Sequence, residues 1–339
     1  MKPTLHQRWS AEEILALGRA YQGAAVLAAA AELDLFSAVS HTPLPAAKLA
    51  RTLQCDLRAL TILLDALVAL RWLEKAADRY ALPAGLSAFL THDGTQSVLA
   101  MAQHQAHCLR NWAQLARVVK TGRPAECSPG IRGEDGAQEA FIGAMHNVSA
   151  PNADQVIRAV QPLQFRHLLD IGGASGTWTI AFLRACPSGQ ATLFDLPHVI
   201  PIARRRLAAA GLDHRVKLIS GDFNRDPLPS GADLAWVSAI VHQNSRAQNR
   251  ALFAKVYAAL VPGGRIAIRD ILMQEDRTQP VAGALFAVNM LAATEGGGTF
   301  TLAELQADLE AAGFADVALA QPDEAMNAIV VAKKPGLGS

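Results

Sequence analysis

The chain has 339 residues, 51% hydrophobic and 18% charged, which is enough apolar material for a sizeable core and too much for a disordered polymer. Its 31 basic and 30 acidic residues leave a formal charge of +1, so no strong field gathers nucleic acid or anionic lipid. Cys55, Cys108, Cys127 and Cys186 form no CxxC pair, which argues against structural zinc and a disulfide framework.

The opening MKPTLHQRWS lacks the apolar centre of a signal peptide. In AAVLAAAAELDLF, Glu32 and Asp34 interrupt the apolar run short of a membrane-spanning length. The expectation is a soluble, cytoplasmic protein whose partner is a small molecule, not nucleic acid or a membrane.

Apolar spacing predicts helix over most of residues 11–120, beginning with EEILALGRAYQGAAVLAAAAELDLFSAV. Next come a short helix, a turn at QCD, a longer helix and a hairpin around EKAADRYAL, the order of a winged-helix unit. A DNA-reading helix needs exposed basic and amide side chains. LRALTILLDALVAL offers Arg58 and little else, so this helix is expected to be buried, in a subunit interface. Residues 97–160 continue as helix, broken at TGRPAECSPGIRGEDG. They carry His104, His107 and His146, whose wide spacing suits surface or pocket-lining groups better than a metal site.

From about residue 163, short apolar runs alternate with helical segments: HLLDIGG, ATLFDLP, VKLISGDF, DLAWVSAIVH, GRIAIRDILM and AMNAIVVAKK. This alternation predicts βαβ units and a Rossmann-like α/β fold, a parallel sheet with helices on both faces. The expected domains are 1–100, 101–160 as a helical linker contributing to the acceptor pocket, and 161–339 as the ligand-binding domain. Ligands of such sheets bind at the carboxyl ends of the strands.

LLDIGGASGTW is a strand, a small-residue turn (Gly172, Gly173, Ala174, Gly176) and a helix start, where a backbone can approach a ligand closely. The nicotinamide fingerprint fits poorly, since Ala174 and Thr177 occupy two of its small-residue positions. Asp195, ending the second strand beside Leu196, suits two ribose hydroxyls. Asp222, ending the third beside Phe223, can accept from an adenine amine while the ring packs on the base. Three such features in order favour S-adenosylmethionine.

On these residues the chain resembles the class I S-adenosylmethionine-dependent O-methyltransferases of caffeic acid and acetylserotonin type, over nearly its whole length. The resemblance implies a homodimer with interlocked N-terminal helices forming a winged-helix dimerisation domain. Ser238 stands where plant members often have a lysine among the cofactor contacts. His242 in AIVHQNSRAQN matches the family's catalytic histidine, a base that would help ionise a hydroxyl acceptor.

The neighbours depart from the family pattern. Gln243 and Asn244 replace the usual Asp-Trp. Of two flanking glutamates, Asp270 matches the first and Thr299 the second. Asp270 could orient the imidazole, whereas Thr299 supplies no charge. Arg269 would either form an ion pair or hold an acidic substrate group. By resemblance, Phe141, Met145, His146, Asn289 and Met290 line the acceptor pocket. Transfer to a hydroxyl oxygen is the leading expectation. Transfer to a thioether or thiol, which needs no base, and a reaction using the cofactor without methyl transfer remain open.

Overall fold

Ser10 starts the first helix by a reciprocal cap, accepting from the Glu13 N–H while the Glu13 carboxylate accepts from its own N–H. The structure is a computed structural model that describes residues 9–336. It separates into two units, residues up to 110 with 128–144, and 111–127 with 145 onward.

In the first unit, α1 (Ala11–Arg19) and α2 (Tyr21–Glu32) are parted only by Ala20. The two helices make a 22-residue apolar run that is long enough, by length and composition, to cross a membrane. Charged residues still punctuate it, with Glu12 and Glu13 in its first turn and Arg19 and Glu32 at the two helix ends. On α1, Ile14, Leu15 and Leu17 are exposed.

Then come α3 (Leu35–Ala38), β1 (Leu44–Pro45), α4 (Ala46–Thr52), α5 (Leu57–Ala69), β2 (Glu74–Ala76), β3 (Arg79–Ala81), α6 (Ala84–Leu90) and α7 (Leu99–Trp112). Asp56 caps α5 by accepting from the Ala59 N–H. Leu60, Leu64 and Leu67 recur at helical spacing and are buried with Phe36, Leu49 and Tyr80. The strands form a small antiparallel sheet in the order β1-β3-β2. Asp65 of α5 anchors the hairpin, accepting from Lys75 at 2.6 Å and from the Tyr80 hydroxyl at 2.8 Å.

Residues 101–160 do not form a segment of their own. Leu99 and Ala102 pack into the first core, α8 (Leu115–Thr121) belongs to the second unit, and α9 (Gly133–Ser149) is divided between the two. The Ala125 N–H is committed to the Ala292 carbonyl of the second unit.

The second unit continues with α10 (Ala153–Val156), β4 (His167–Ile171), α11 (Thr177–Ala185), β5 (Gln190–Asp195), α12 (Ile200–Ala209), β6 (Val216–Ser220), β7 (Ala232–Ser238), α13 (Arg246–Ala259) and β8 (Leu260–Asp270). It closes with β9 (Leu272–Met273), α14 (Val281–Ala293), β10 (Phe300–Thr301), α15 (Leu302–Ala311), β11 (Ala315–Gln321) and β12 (Ala328–Lys333). Seven strands make one sheet in the order β11-β12-β8-β7-β4-β5-β6. Strands β8 to β6 in that order run parallel, but β12 is antiparallel to both neighbours. The sheet is therefore mixed, where the sequence led us to expect parallel throughout. Only a short loop joins β11 to β12, too short for a parallel crossover.

Successive residues of the central strands feed two cores, which is why they read as unbroken apolar runs. Leu168, Trp236 and Ala267 meet Trp178 and Phe182 on one face. Leu169, Val237 and Ile268 meet Phe253, Val256 and Leu309 on the other.

Asp170 is the exception on β4. It is buried, accepts from the Thr179 hydroxyl at 2.5 Å, and burial raises its carboxyl to about 7. An unfolded aspartate ionises near ~4. Between those values the folded chain holds the extra proton, so this group's contribution to stability falls as pH rises through the window. Asp170→Asn cannot ionise. Its melting temperature relative to native should therefore shift in favour of the variant between pH 5 and pH 8, as scanning calorimetry would record.

Candidate functional site

At the carboxyl edge of the sheet, β4 ends in a tight turn. Gly172 has φ of +66° and donates its N–H to the Phe194 carbonyl. A Cβ there would lie 2.6 Å from the Ile240 side chain and 3.8 Å from the Phe223 ring, so an apolar cleft flanks a position open only to glycine. A Cβ on Gly173 would meet Leu193 at 2.5 Å. Ala174 is left-handed too, with φ of +47°. The resembled pattern has glycine there, and alanine carries a strain of roughly 1–2 kcal/mol. Gly176 precedes α11, whose first N–H groups face this edge.

Asp195, at the end of β5, accepts from the Ala174 N–H and from the Leu196 N–H, each at 2.7 Å. Burial raises its carboxyl. The next acid, Asp222, shapes its own loop. Its Oδ1 accepts from the Asn224 N–H, its own N–H donates to Asp226, and Arg225 lies 3.6 Å away. Lys255 of α13 holds the same loop by donating to the Phe223 and Asp226 carbonyls. Phe223 is half-buried.

His242 is not at the end of a strand, as the sequence led us to expect. Strand β7 stops at Ser238, Ala239 takes a left-handed φ of +57°, and His242 lies in a single 3₁₀ turn, Val241–Gln243. The turn brings the imidazole back to β8, where Nδ1 lies 2.8 and 2.9 Å from the two oxygens of Asp270. Both residues are buried. A carboxylate only accepts, so Nδ1 carries the proton and Nε2 keeps its lone pair. The Ile271 N–H fixes Asp270 at 2.8 Å, and the Phe286 ring of α14 meets the imidazole in a T-shaped contact at 4.8 Å.

The neighbours that depart from the family pattern hold this turn. Asn244 donates to Asn249 at 3.1 Å, and Asn249 donates to the Val241 carbonyl at 3.0 Å, both amides being buried. Ser245 caps α13 in a reciprocal pair with Gln248. Gln243 donates to the Ala239 carbonyl. From the other side the Gly298 N–H donates to the His242 carbonyl. Thr299 donates to the Gly283 carbonyl, at 3.4 Å, and adds no charge to the imidazole.

Several predicted residues have other partners than expected. Arg269 is buried with neither an ion pair nor an open face among the described residues. It donates to Asn327 (2.9 and 2.8 Å) and Ser238 (3.2 Å) and lies 4.6 Å over the Trp178 ring. Burial lowers its guanidinium to about 10, so it stays charged at neutral pH. Ser238 is thereby engaged by Arg269.

His146 reaches the glycine turn, with Nδ1 2.8 Å from the Thr177 hydroxyl and Nε2 2.7 Å from Arg206. Asn289 accepts from the Trp112 indole at 2.8 Å, Met290 is buried and Met145 half-buried. Phe141 belongs to the first unit, edge-on to His104. Among the described residues no three His, Cys, Asp or Glu side chains cluster to hold a metal ion.

Reading the sequence missed Phe286, Asn249, Asn327, Arg206 and Thr177. Phe286, Asn327 and Arg206 carry no local signal because each acts through a partner distant in sequence, and Asn249 and Thr177 show their roles only once the turn of His242 and His146 are in place.

The sheet order, the glycine turn after β4 and the acids after β5 and β6 define a class I methyltransferase. Residues 112–315 match the O-methyltransferase domain family and residues 18–92 the O-methyltransferase dimerisation domain. The chain belongs to this family of S-adenosylmethionine-dependent methyltransferases. It is 31% identical to the tetracenomycin polyketide synthesis 8-O-methyltransferase of Streptomyces glaucescens, over 99% of this chain and all of that one. It is 33% identical to the 3-hydroxy-5-methyl-1-naphthoate 3-O-methyltransferase of Streptomyces sahachiroi, over 86% of each. The human N-acetylserotonin methyltransferase, solved with S-adenosylmethionine, superposes with a TM-score of 0.80 at 27% identity, over 99% of this chain and all of that one.

Gly297 tests how tightly the turn is held. A Cβ there would meet the His242 carbonyl at 2.5 Å and the Gln243 carbonyl at 3.0 Å, backbone atoms that cannot swing aside. Displacement near 1 Å costs about 10²-fold in well-ordered sites. Gly297→Ala should lower kcat by about tenfold or more. Affinity for S-adenosylhomocysteine, measured by calorimetry, should change little.

Proposed function

We propose that this enzyme methylates a hydroxyl oxygen of a small molecule, with His242 as general base and Asp270 as its orienting partner. The observation that carries the reading is the buried His242–Asp270 contact, which leaves Nε2 as the imidazole's free lone pair.

The cofactor supplies a methyl group on a positively charged sulfur, which leaves as a neutral thioether. The residues present fit it. Gly172 and Ala174 leave room for close backbone approach, and Asp195 and Asp222 offer carboxylate oxygens for ribose hydroxyls and an adenine amine. Phe223 and Ile240 give apolar faces beside Gly172. Gly173 and Gly176 complete the turn, Leu196 holds the Asp195 carboxylate through its N–H, and Ser238, bonded to Arg269, ends the next strand.

An acceptor hydroxyl donates to Nε2. With the cofactor bound, the acceptor oxygen would take the methyl group it supplies and give up its proton to Nε2. The imidazolium is stabilised by Asp270 and returns the proton to water. A phenol, with a pKa near ~10, is little ionised at neutral pH, so such a base is useful. The relatives named for methylating a naphthoate and a polyketide support an acceptor of this kind.

The first unit supports a second element of the reading, a winged-helix dimerisation domain in a homodimer. The match at residues 18–92 and the exposed Ile14, Leu15, Leu17 and Tyr21 point that way. Equilibrium sedimentation should give twice the mass of 36.0 kDa, and replacing Leu15 and Leu17 by serine should shift it toward the monomer.

S-adenosylhomocysteine release over a panel of phenols, hydroxy acids, amines and thioethers would identify the acceptor. With a hydroxyl acceptor, His242→Ala should lower kcat by about 10²-fold or more, and Asp270→Asn should lower it less while leaving the KM for S-adenosylmethionine nearly unchanged. Near-native turnover by His242→Ala would exclude base catalysis and favour a thioether acceptor.

A further inference from the structure

Behind the glycine turn lies a second histidine network, built from three elements. His146 in the last turn of α9 connects Arg206 of α12 to Thr177, the first residue of α11, at 2.7 and 2.8 Å. Thr177 in turn lies 3.1 Å from the Ser175 hydroxyl inside the glycine turn. Chemistry sets the direction of this chain. A guanidinium only donates, so Nε2 of His146 must accept and Nδ1 must carry the proton. Nδ1–H then donates to Thr177, whose own O–H is free to donate to Ser175.

We infer that His146 is a positioning residue for the S-adenosylmethionine loop, and not a wall of the acceptor pocket. Its two hydrogen bonds tie the loop after β4 to α12, the helix that follows Asp195, so the two strand ends beside the cofactor site are held by one imidazole. Arg206 strengthens the assignment. It forms no ion pair among the described residues, its Nε has no hydrogen-bond partner, and only burial acts on its charge. Among the described residues Nε2 of His146 is its one hydrogen-bond acceptor, and losing it strands a half-buried cation. Burial and Arg206 together lower the imidazole to about 4, so it stays neutral, and the chain keeps its direction, across the working pH range.

The inference rests on cofactor binding at this loop. Hydrogen bonds to charged groups are among the stronger ones, and a loop that spends less time in its competent shape binds more weakly in proportion. His146→Phe keeps the ring and removes both bonds. It should raise the Kd for S-adenosylhomocysteine, measured by titration calorimetry on the full-length protein, by about tenfold, with the acceptor KM within about twofold of native. His146→Gln, which can both accept and donate, should return the Kd to within about threefold.

Thr177→Val cuts the same chain at its other end and serves if His146→Phe does not fold. It should weaken binding comparably, and the double variant should bind no worse than the weaker single one. A raised acceptor KM with unchanged Kd in His146→Phe would return His146 to the acceptor pocket and overturn the inference. Fully additive losses in the double variant would overturn it as well. Failure of the native protein to bind S-adenosylhomocysteine would instead strike the cofactor assignment itself.

Discussion

A buried carboxylate is tolerated only where donors surround it, and Asp270 at the end of β8 sets that demand for the whole carboxyl edge. The Ile271 N–H meets part of it, and the remainder is met by His242, whose imidazole must travel from the adjacent strand. The surrounding geometry serves that journey. β7 stops at Ser238, Ala239 takes a left-handed turn, and a 3₁₀ turn returns the ring. Asn249 and Gly298 then hold the turn through its own carbonyls. The Asn249 amide is in turn held by Asn244, and Gln243 braces the turn at the Ala239 carbonyl, so the side chains at 243 and 244 take part.

Two histidines in the second unit show opposite electrostatic arrangements. His242 faces a carboxylate through Nδ1. His146 faces a guanidinium through Nε2, and burial, with Arg206 adding to it, disfavours its protonated form. The residue type is the same and the neighbour differs: one imidazole faces an acceptor through Nδ1, the other a donor through Nε2. Arg269 illustrates the same dependence. Its stacking on Trp178 and its bonds to Asn327 and Ser238 give a buried cation neutral acceptors and an aromatic face in place of a counter-ion.

Much of the fold was legible along the chain. The apolar runs at β4, β5, β7 and β8 marked strands because both faces of each are covered, and the shorter run at β6 marked the edge. The spacing of Leu60, Leu64 and Leu67 marked α5, and GGASG marked the turn. The hairpin of β2 and β3 was legible from its polar turn. Direction was harder to read. β12 carries the same apolar signature as the parallel strands of the sheet, and only its short connection to β11 reverses it.

The sequence by itself determined which residues could do chemistry at the strand ends: the glycine turn, Asp195, Asp222, His242 and Asp270 stand in an order that follows from local pattern and resemblance. It could not assign partners. That His146 meets Thr177 and Arg206, that Arg269 meets Asn327, and that Asn244 and Asn249 support the turn of His242 were decided by tertiary structure alone. Periodicity records which face of an element is apolar. Hydrogen bonds between residues some 30 or 60 positions apart leave no periodic trace, and they exist only once the sheet has brought its helices together.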